Sequence, residues 1–486
     1  MRARLASRRR APPAKVAGLT TTQVSLPHVA ALDNLRGAAV TAVLLFHGGH
    51  LTGGYLGVDL FFVLSGFLIT SLLLVEWRGS GHVALGSFWF RRARRLLPAL
   101  FLVLLCVAGY SLFVAAPGEL GRIRGDALAT IGYVANWRAI FASQDYWALF
   151  VSPSPLEHTW SLAIEEQFYL VWPVVVVGLA WSWRTQTPKG VLLTAALGAV
   201  LSSTLMILLY GRSDPSRVYF GTDTRAAGVL FGAALAAALA VFGHVQRRRH
   251  RVAIEAAGIA GALAIALMWT KIDGENPRLY QGGFVVAGLA ATAVIAAVVH
   301  PRAGPLARVF SFRPLCWIGL ISYGLYLWHW PVDVYLNATR VGLTGWPLFA
   351  VQTAVALVIA IASYHLVEMP IRRGALSRRQ WQIGTPVLAA LLVAVVIAAT
   401  GAQQGPALAD VPTVRSLRLA RYQLDKTVPL DRPRVLVIGG SIALTLANPV
   451  SNRSQSRVAV AGAGILGCGI LPGSPVGGEA TRAIDC

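Results

Sequence analysis

Residues 55–75 read YLGVDLFFVLSGFLITSLLLV, and Asp59 is their only charged side chain. A helix crosses a hydrocarbon core with about 20 mostly apolar residues, so this stretch can span a bilayer. Ten further windows share the pattern: 31–49, 97–116, 162–183, 190–210, 224–243, 252–270, 281–299, 315–336, 346–367 and 384–402. Composition agrees. Of 486 residues 55% are apolar and 13% charged, with a mean hydropathy of +0.60, whereas soluble globular proteins carry about 25% charged residues. Disorder is excluded, and a single core this apolar would be hard to keep in solution. The net charge of +22 comes from 39 Arg and four Lys against 21 Asp and Glu. These positives sit in short runs between apolar windows, the pattern of topology signals and of lipid or phosphate contacts. No nucleic-acid partner is expected. Four cysteines cannot build a disulfide scaffold, and no metal site is expected. The sequence therefore predicts an all-α polytopic membrane protein.

The rule that Lys and Arg stay cytoplasmic sets the expected orientation. Residues 1–30 are basic and polar and lack the apolar core of a signal peptide, so they read as a disordered cytoplasmic arm. Window 118–142 is ambiguous, because Arg122, Arg124, Asp126, Asn136 and Arg138 interrupt it. If it does not cross, the basic loops at 91–95, 184–189, 247–251, 302–313 and 372–379 all fall inside. If it crosses, every later basic loop faces outward. The segment is therefore expected as a re-entrant or surface helix. The remaining windows give about ten helices in a core over 31–373 and an eleventh at 384–402. The N-terminus is then inside and the C-terminus outside, in a cytoplasmic (plasma) membrane. Residues 403–486 become an extracytoplasmic segment: a linker, QQGPALADVPT, then RVLVIGGSIALTLA, an apolar strand followed by a Gly-Gly-Ser turn. This segment reads as a short α/β-like fragment.

Ionisable residues inside spans carry the functional signal, since a charge at the bilayer centre costs at least ~3 kcal/mol. Window 31–49 holds Asp33, Arg36 and His47. At about 100° per residue, Arg36 lies about 20° to one side of His47 and Asp33 about 40° to the other, so all three share one helix face. Asp33 and Arg36 have ion-pair spacing, and His47 is about 16 Å further along the axis. Asp59, Glu165, Glu166, Arg225, His329, Glu368 and Arg372 add further polar groups in or beside spans. Each has a plain alternative, as an interfacial cap or a helix–helix hydrogen bond. Together they imply a polar interior, either a water-filled path or an active site. In FRRARRLLPAL (90–100), Arg91, Arg92, Arg94 and Arg95 precede a span. They are a topology signal or, more sharply, a phosphate site in which arginine forks grip the oxygens.

The segments LDNLRG with FHGGH, GVDLFFVLSGFLIT, RRARRLLPA, HTWSLAIEEQFYLVWP, TDTRAAGVLFG, SYGLYLWHWP and VEMPIRR, in this order over 33–373, resemble the acyltransferase-3 family of integral membrane O-acyltransferases. The resemblance implies transfer of an acyl group, often acetyl, from cytoplasmic acyl-CoA to a hydroxyl of an extracytoplasmic envelope polysaccharide or glycolipid. It implies that Arg36 and His47 are the two required residues of the first helix, and that Arg92 and Arg95, with Arg91 beside them, are the donor-side arginines. Glu166, Arg225, His329 and Glu368 match motifs whose roles are less settled. Chemistry points independently to His47, because a hydroxyl attacking a thioester needs a base and imidazole, with a reference pKa near ~6.5, suits neutral pH. Arg36 is expected to position the donor or stabilise the oxyanion, with Asp33 as its partner. An acyl-His47 intermediate is the alternative route.

The eleventh helix and outward segment resemble the subgroup fused to an SGNH-type domain. Such a domain has Gly-Asp-Ser at its nucleophile, whereas this chain has Gly439-Gly440-Ser441 and no histidine after it. The segment is expected to be an incomplete, catalytically inert first third, in which Cys468 and Cys486 could pair on the oxidising side. Cys106 and Cys316 are expected as small packing residues inside spans. The competing reading for the whole chain is a transporter or exporter of a polar solute, with the same intramembrane charges lining its path.

Overall fold

The computed structural model describes residues 29–142, 153–211, 215–302 and 304–401, together with the backbone of two strands at 434–439 and 459–464. Residues 1–28 of the expected arm, and Gly440, Ser441, Cys468 and Cys486, lie outside the described residues. The chain divides into a unit ending at Ala402 and a second from Gln403.

The first unit is helical. In chain order its helices are α1 (Ala30–His47), α2 (Gly57–Ser80), α3 (Leu85–Phe113), α4 (Leu120–Ile131), α5 (Ala135–Phe141), α6 (Thr159–Trp183), α7 (Thr187–Leu209), α8 (Ser216–Phe220) and α9 (Thr222–Phe242). They continue as α10 (Arg248–Lys271), α11 (Phe284–Val298), α12 (Pro305–Val309), α13 (Arg313–Leu320), α14 (Ser322–Tyr335), α15 (Ala338–Val341), α16 (Gly345–Ser363), α17 (Met369–Arg373) and α18 (Arg378–Gly401). Among the described residues, 8 helical runs are long and apolar enough to cross a membrane. The run Thr159–Leu209 holds both α6 and α7, which meet at Arg184 with φ 43°. Apolar side chains such as Leu197, Leu201, Leu263 and Leu267 point outward, as they should in a hydrocarbon solvent. Cys106 also faces outward rather than packing inside. The unit is that of a multi-pass membrane protein.

Window 315–336, expected as one helix, is instead broken at Ile321 (ψ 4°) into α13 and α14. Glycines hold α13 close against α1 just before the break. A methyl group added to Gly319 would overlap Asp33 O, and one added to Gly37 would overlap Leu315 O. Lipid provides no hydrophobic drive between helices, so close backbone approach through small residues is what binds α13 to α1. The bend after α13 frees α14 to carry His329 toward the end of α1.

The ambiguous window 118–142 forms α4 and α5. With 12 residues, α4 is about 18 Å long, short of the ~30 Å hydrocarbon thickness. The two helices meet at Tyr133 (φ 53°). Gln167, in the third turn of α6, donates to Tyr133 O at 2.8 Å and to Asn136 Oδ1 at 3.0 Å. Asn136, fully buried, donates in turn to Phe220 O at 3.0 Å. The α4–α5 turn is therefore packed into the bundle, and neither helix is among the runs long and apolar enough to cross. Arg124 Nε on α4 donates to Thr400 Oγ1 at 2.9 Å, which ties the end of α18 to α4.

In the second unit the expected strand is present as β1 (Arg434–Gly439). It pairs in parallel with β2 (Ala459–Gly464), with Arg434 opposite Ala459. Parallel neighbours cannot be joined by a two-residue turn, so this pair is not a hairpin.

Candidate active site

His47 is the last residue of α1. Its Nδ1 lies 3.1 Å from His329 Nε2 on α14, and the Trp330 ring covers it at 4.5 Å between centroids. His329 Nδ1 is 2.6 Å from Tyr326 O, one turn earlier on the same helix. These contacts assign the protons. A carbonyl oxygen can only accept, so His329 Nδ1 carries the hydrogen, and a neutral imidazole then has its lone pair on Nε2. His47 must donate from Nδ1 to that lone pair. With both rings neutral the His47 lone pair then falls on Nε2, an arrangement suited to a general base, while the Val43 main chain one turn earlier on α1 also approaches this ring.

A third histidine completes the cluster. His158, just before α6, sits edge-to-face on His329 with centroids 5.4 Å apart and tilted on Tyr326 at 5.5 Å. Its main-chain oxygen accepts Tyr326 Oη at 3.1 Å, and Tyr326 Oη is 2.6 Å from Ser161 Oγ. Sequence reasoning quoted the segment around His158 but singled out Glu165 and Glu166 alone.

The arginines occupy a separate cavity of about 70 Å³, room for a few waters. Arg36, Arg92, Arg95, Glu165, Ser161 and Tyr326 are among its lining residues. Arg36 Nη1 is 3.4 Å from the buried Asp33. Ser65 Oγ donates to Glu165 Oε1 at 2.8 Å and accepts from Tyr169 Oη at 2.8 Å. The helix period sorts the arginine run on α3: residues three apart share a face, so Arg92 and Arg95 reach the cavity together. Arg94 Nη2 turns away to donate to Arg372 O at 2.8 Å, at the end of α17. Arg91, expected with the donor arginines, is turned outward instead and pairs with Glu76 at 3.4 Å.

Tyr326 connects the two places. Its side chain lines the arginine cavity, and its carbonyl holds His329. Arg36 and His47, which share one face of α1, are thus separated by about 16 Å of helix axis and face different ends of this arrangement. Arg36 is thus grouped with Arg92 and Arg95 at the cavity rather than beside His47.

The remaining expected residues sit around these centres. Glu166 follows Glu165 on α6, with Arg92 and Arg95 nearby. Glu368 lies in a π-helical turn, Tyr364–Glu368, where Ser363 Oγ donates to it at 3.3 Å and its Oε1 packs against Gly324 of α14. Arg225 is elsewhere. It pairs with Asp59 at 3.1 Å, and its guanidinium carbon lies 4.0 Å from the Phe284 ring centroid, with Phe62, Trp160 and Tyr219 also around it.

A family model described as an acyltransferase domain, that of acyltransferase-3, matches residues 29–365. The chain belongs to the acyltransferase-3 family. Among curated relatives of this acyltransferase-3 chain, the peptidoglycan O-acetyltransferase OatA of Listeria monocytogenes is 41% identical over 362 residues, covering 73% of this chain and 57% of the relative. The O-acetyltransferase OatA of Staphylococcus aureus (strain NCTC 8325) is 36% identical over 374 residues, covering 74% of this chain and 61% of the relative. The aligned part of the chain thus spans less than two thirds of the length of either relative. No solved structure matches the chain.

Proposed function

We propose that the protein is a membrane O-acetyltransferase that moves an acetyl group from cytoplasmic acetyl-CoA to a hydroxyl of an envelope glycan, with peptidoglycan as the acceptor suggested by its relatives' names. The observation that carries this reading is the 3.1 Å His47–His329 contact, with His329 held by Tyr326 O, which leaves His47 Nε2 as the base. In this mechanism the acceptor hydroxyl attacks the thioester carbonyl carbon while His47 takes its proton, and the thiolate leaves and recovers that proton. Arg92, Arg95 and Arg36 line the cavity that would hold the phosphates of the donor, since arginine forks match phosphate oxygens. The gap along α1 between Arg36 and His47 is then bridged by the extended pantetheine arm. In the proposed orientation the arginine end faces the cytoplasm and the histidines face outward.

The test uses membranes containing the full chain, radiolabelled acetyl-CoA and a soluble glycan acceptor. His47→Ala should lower transfer by about 10²–10⁴-fold, the usual worth of a general base, with the same amount of protein in the membrane. Undiminished transfer would remove His47 from the reaction. Solute flux without consumption of acetyl-CoA would favour the transporter reading instead.

A further inference from the structure

The reaction as drawn lacks one element. Attack on the thioester turns the acetyl carbonyl into an oxyanion, and a hydrogen-bond donor beside that oxygen is commonly the largest single source of rate. Arg36 opens on the arginine cavity, about 16 Å along α1 from His47.

His158 has the required properties. It is 2% exposed, and among the described residues neither Nδ1 nor Nε2 has a hydrogen-bond partner. Leu327 O lies close to the ring but outside hydrogen-bonding geometry. Buried polar groups are nearly always paired, and one left unpaired costs about 1–3 kcal/mol. Two unpaired nitrogens on one ring therefore need a reason. The ring is also firmly placed: it packs on His329 and Tyr326, and the carbonyl of the same residue accepts the Tyr326 hydroxyl. His47 and His158 thus both touch His329, which lies 5.1 Å from one and 5.4 Å from the other between ring centroids. Because no partner fixes its tautomer, His158 can present an N–H to a ligand in this cluster.

We infer that His158 is the oxyanion donor of the transfer, its free N–H receiving the acetyl carbonyl oxygen as His47 deprotonates the acceptor. This assignment rests on the acetyl-transfer reading above. In the step, the acceptor oxygen bonds to the carbonyl carbon and its proton moves to His47 Nε2. The carbonyl π electrons collect on the oxygen held by His158. When the C–S bond breaks, the carbonyl re-forms, and the thiolate takes the proton from His47 and leaves as CoA thiol.

The test compares wild type with His158→Phe and His158→Asn in the full chain, purified in detergent, measuring thermal stability, kcat and KM for acetyl-CoA. Phe keeps the shape and removes the unpaired nitrogens, so it should unfold at the same or a higher temperature. Its kcat should nonetheless fall by about 10²–10³-fold, the cost of losing one oxyanion donor, with KM for acetyl-CoA within about twofold of wild type. His158→Asn, which keeps an N–H, should recover at least tenfold of that loss. A His158→Phe enzyme with wild-type kcat would overturn the assignment. So would a variant that lost only stability, or an Asn variant no better than Phe. If wild type itself transfers no acetyl group, the functional reading fails first; if wild type transfers and His158→Phe transfers equally, only the role of His158 fails.

Discussion

Arg225 and the pair Arg92 and Arg95 are the same residue type in the same bundle, yet the protein treats them in opposite ways. Arg225 is enclosed. Asp59 meets it at 3.1 Å and four aromatic rings surround the remaining charge, an arrangement that compensates a cation without water. Arg92 and Arg95 line a cavity; Arg92 has the Phe88 and Tyr169 rings at 5.6 and 5.8 Å, but neither arginine has a contact ion pair among the described residues. A guanidinium compensated within the protein holds helices together. One left facing a cavity is available to an anionic ligand. Burial alone, which is all that an apolar window reports, does not separate these cases.

Three experiments can break that comparison. The largest effect is expected at the enclosed pair: Arg225→Met leaves Asp59 buried without a partner and should cost about 3–5 kcal/mol of stability, whereas Asp59→Leu with Arg225→Met should regain most of it. Unfolding of the purified variants in detergent measures this. If the single variant is as stable as wild type, the pair is not structural. At the cavity the expectation reverses. Arg92→Ala or Arg95→Ala should leave stability unchanged and raise KM for acetyl-CoA about 10–100-fold, the equivalent of one charge-assisted hydrogen bond, with Lys restoring part of it. A fall in unfolding temperature with unchanged KM would place these arginines with Arg225. The smallest effect belongs to Arg91, whose contact with Glu76 is half exposed. Such surface pairs contribute about 0–1 kcal/mol, so Arg91→Ala should change turnover and KM by less than about twofold.

What could be read from the chain follows from the range of each interaction. The Asp33–Arg36 pair is three residues apart and helix geometry alone predicts it; the observed separation is 3.4 Å. For the α4–α5 segment the charges left the apolar window ambiguous, and the placement of the later basic loops decided the expectation; the structure shows two helices, of 12 and 7 residues, where one span would need about 20. The His47–His329 contact joins residues 282 apart in sequence, so no local period could reveal it. His158 was hidden differently, because a polar residue at the start of a helix looks like an ordinary cap. The break at Ile321 was missed because hydropathy averages over a window and carries no information on backbone direction. In the arginine run the helix period was available, but only packing shows that Arg91 turns outward and Arg94 binds the end of α17.

Tyr326 has one consequence that reaches past its own contacts. Its ring borders the compartment of the arginines, while its carbonyl fixes which nitrogen of His329 is protonated and, through it, the proton on His47. The same residue thus borders the arginine cavity with its ring and meets the imidazoles with its carbonyl. A ligand that shifted Tyr326 and so altered the His329 proton would, by thermodynamic reciprocity, bind more or less tightly according to how those imidazoles are protonated.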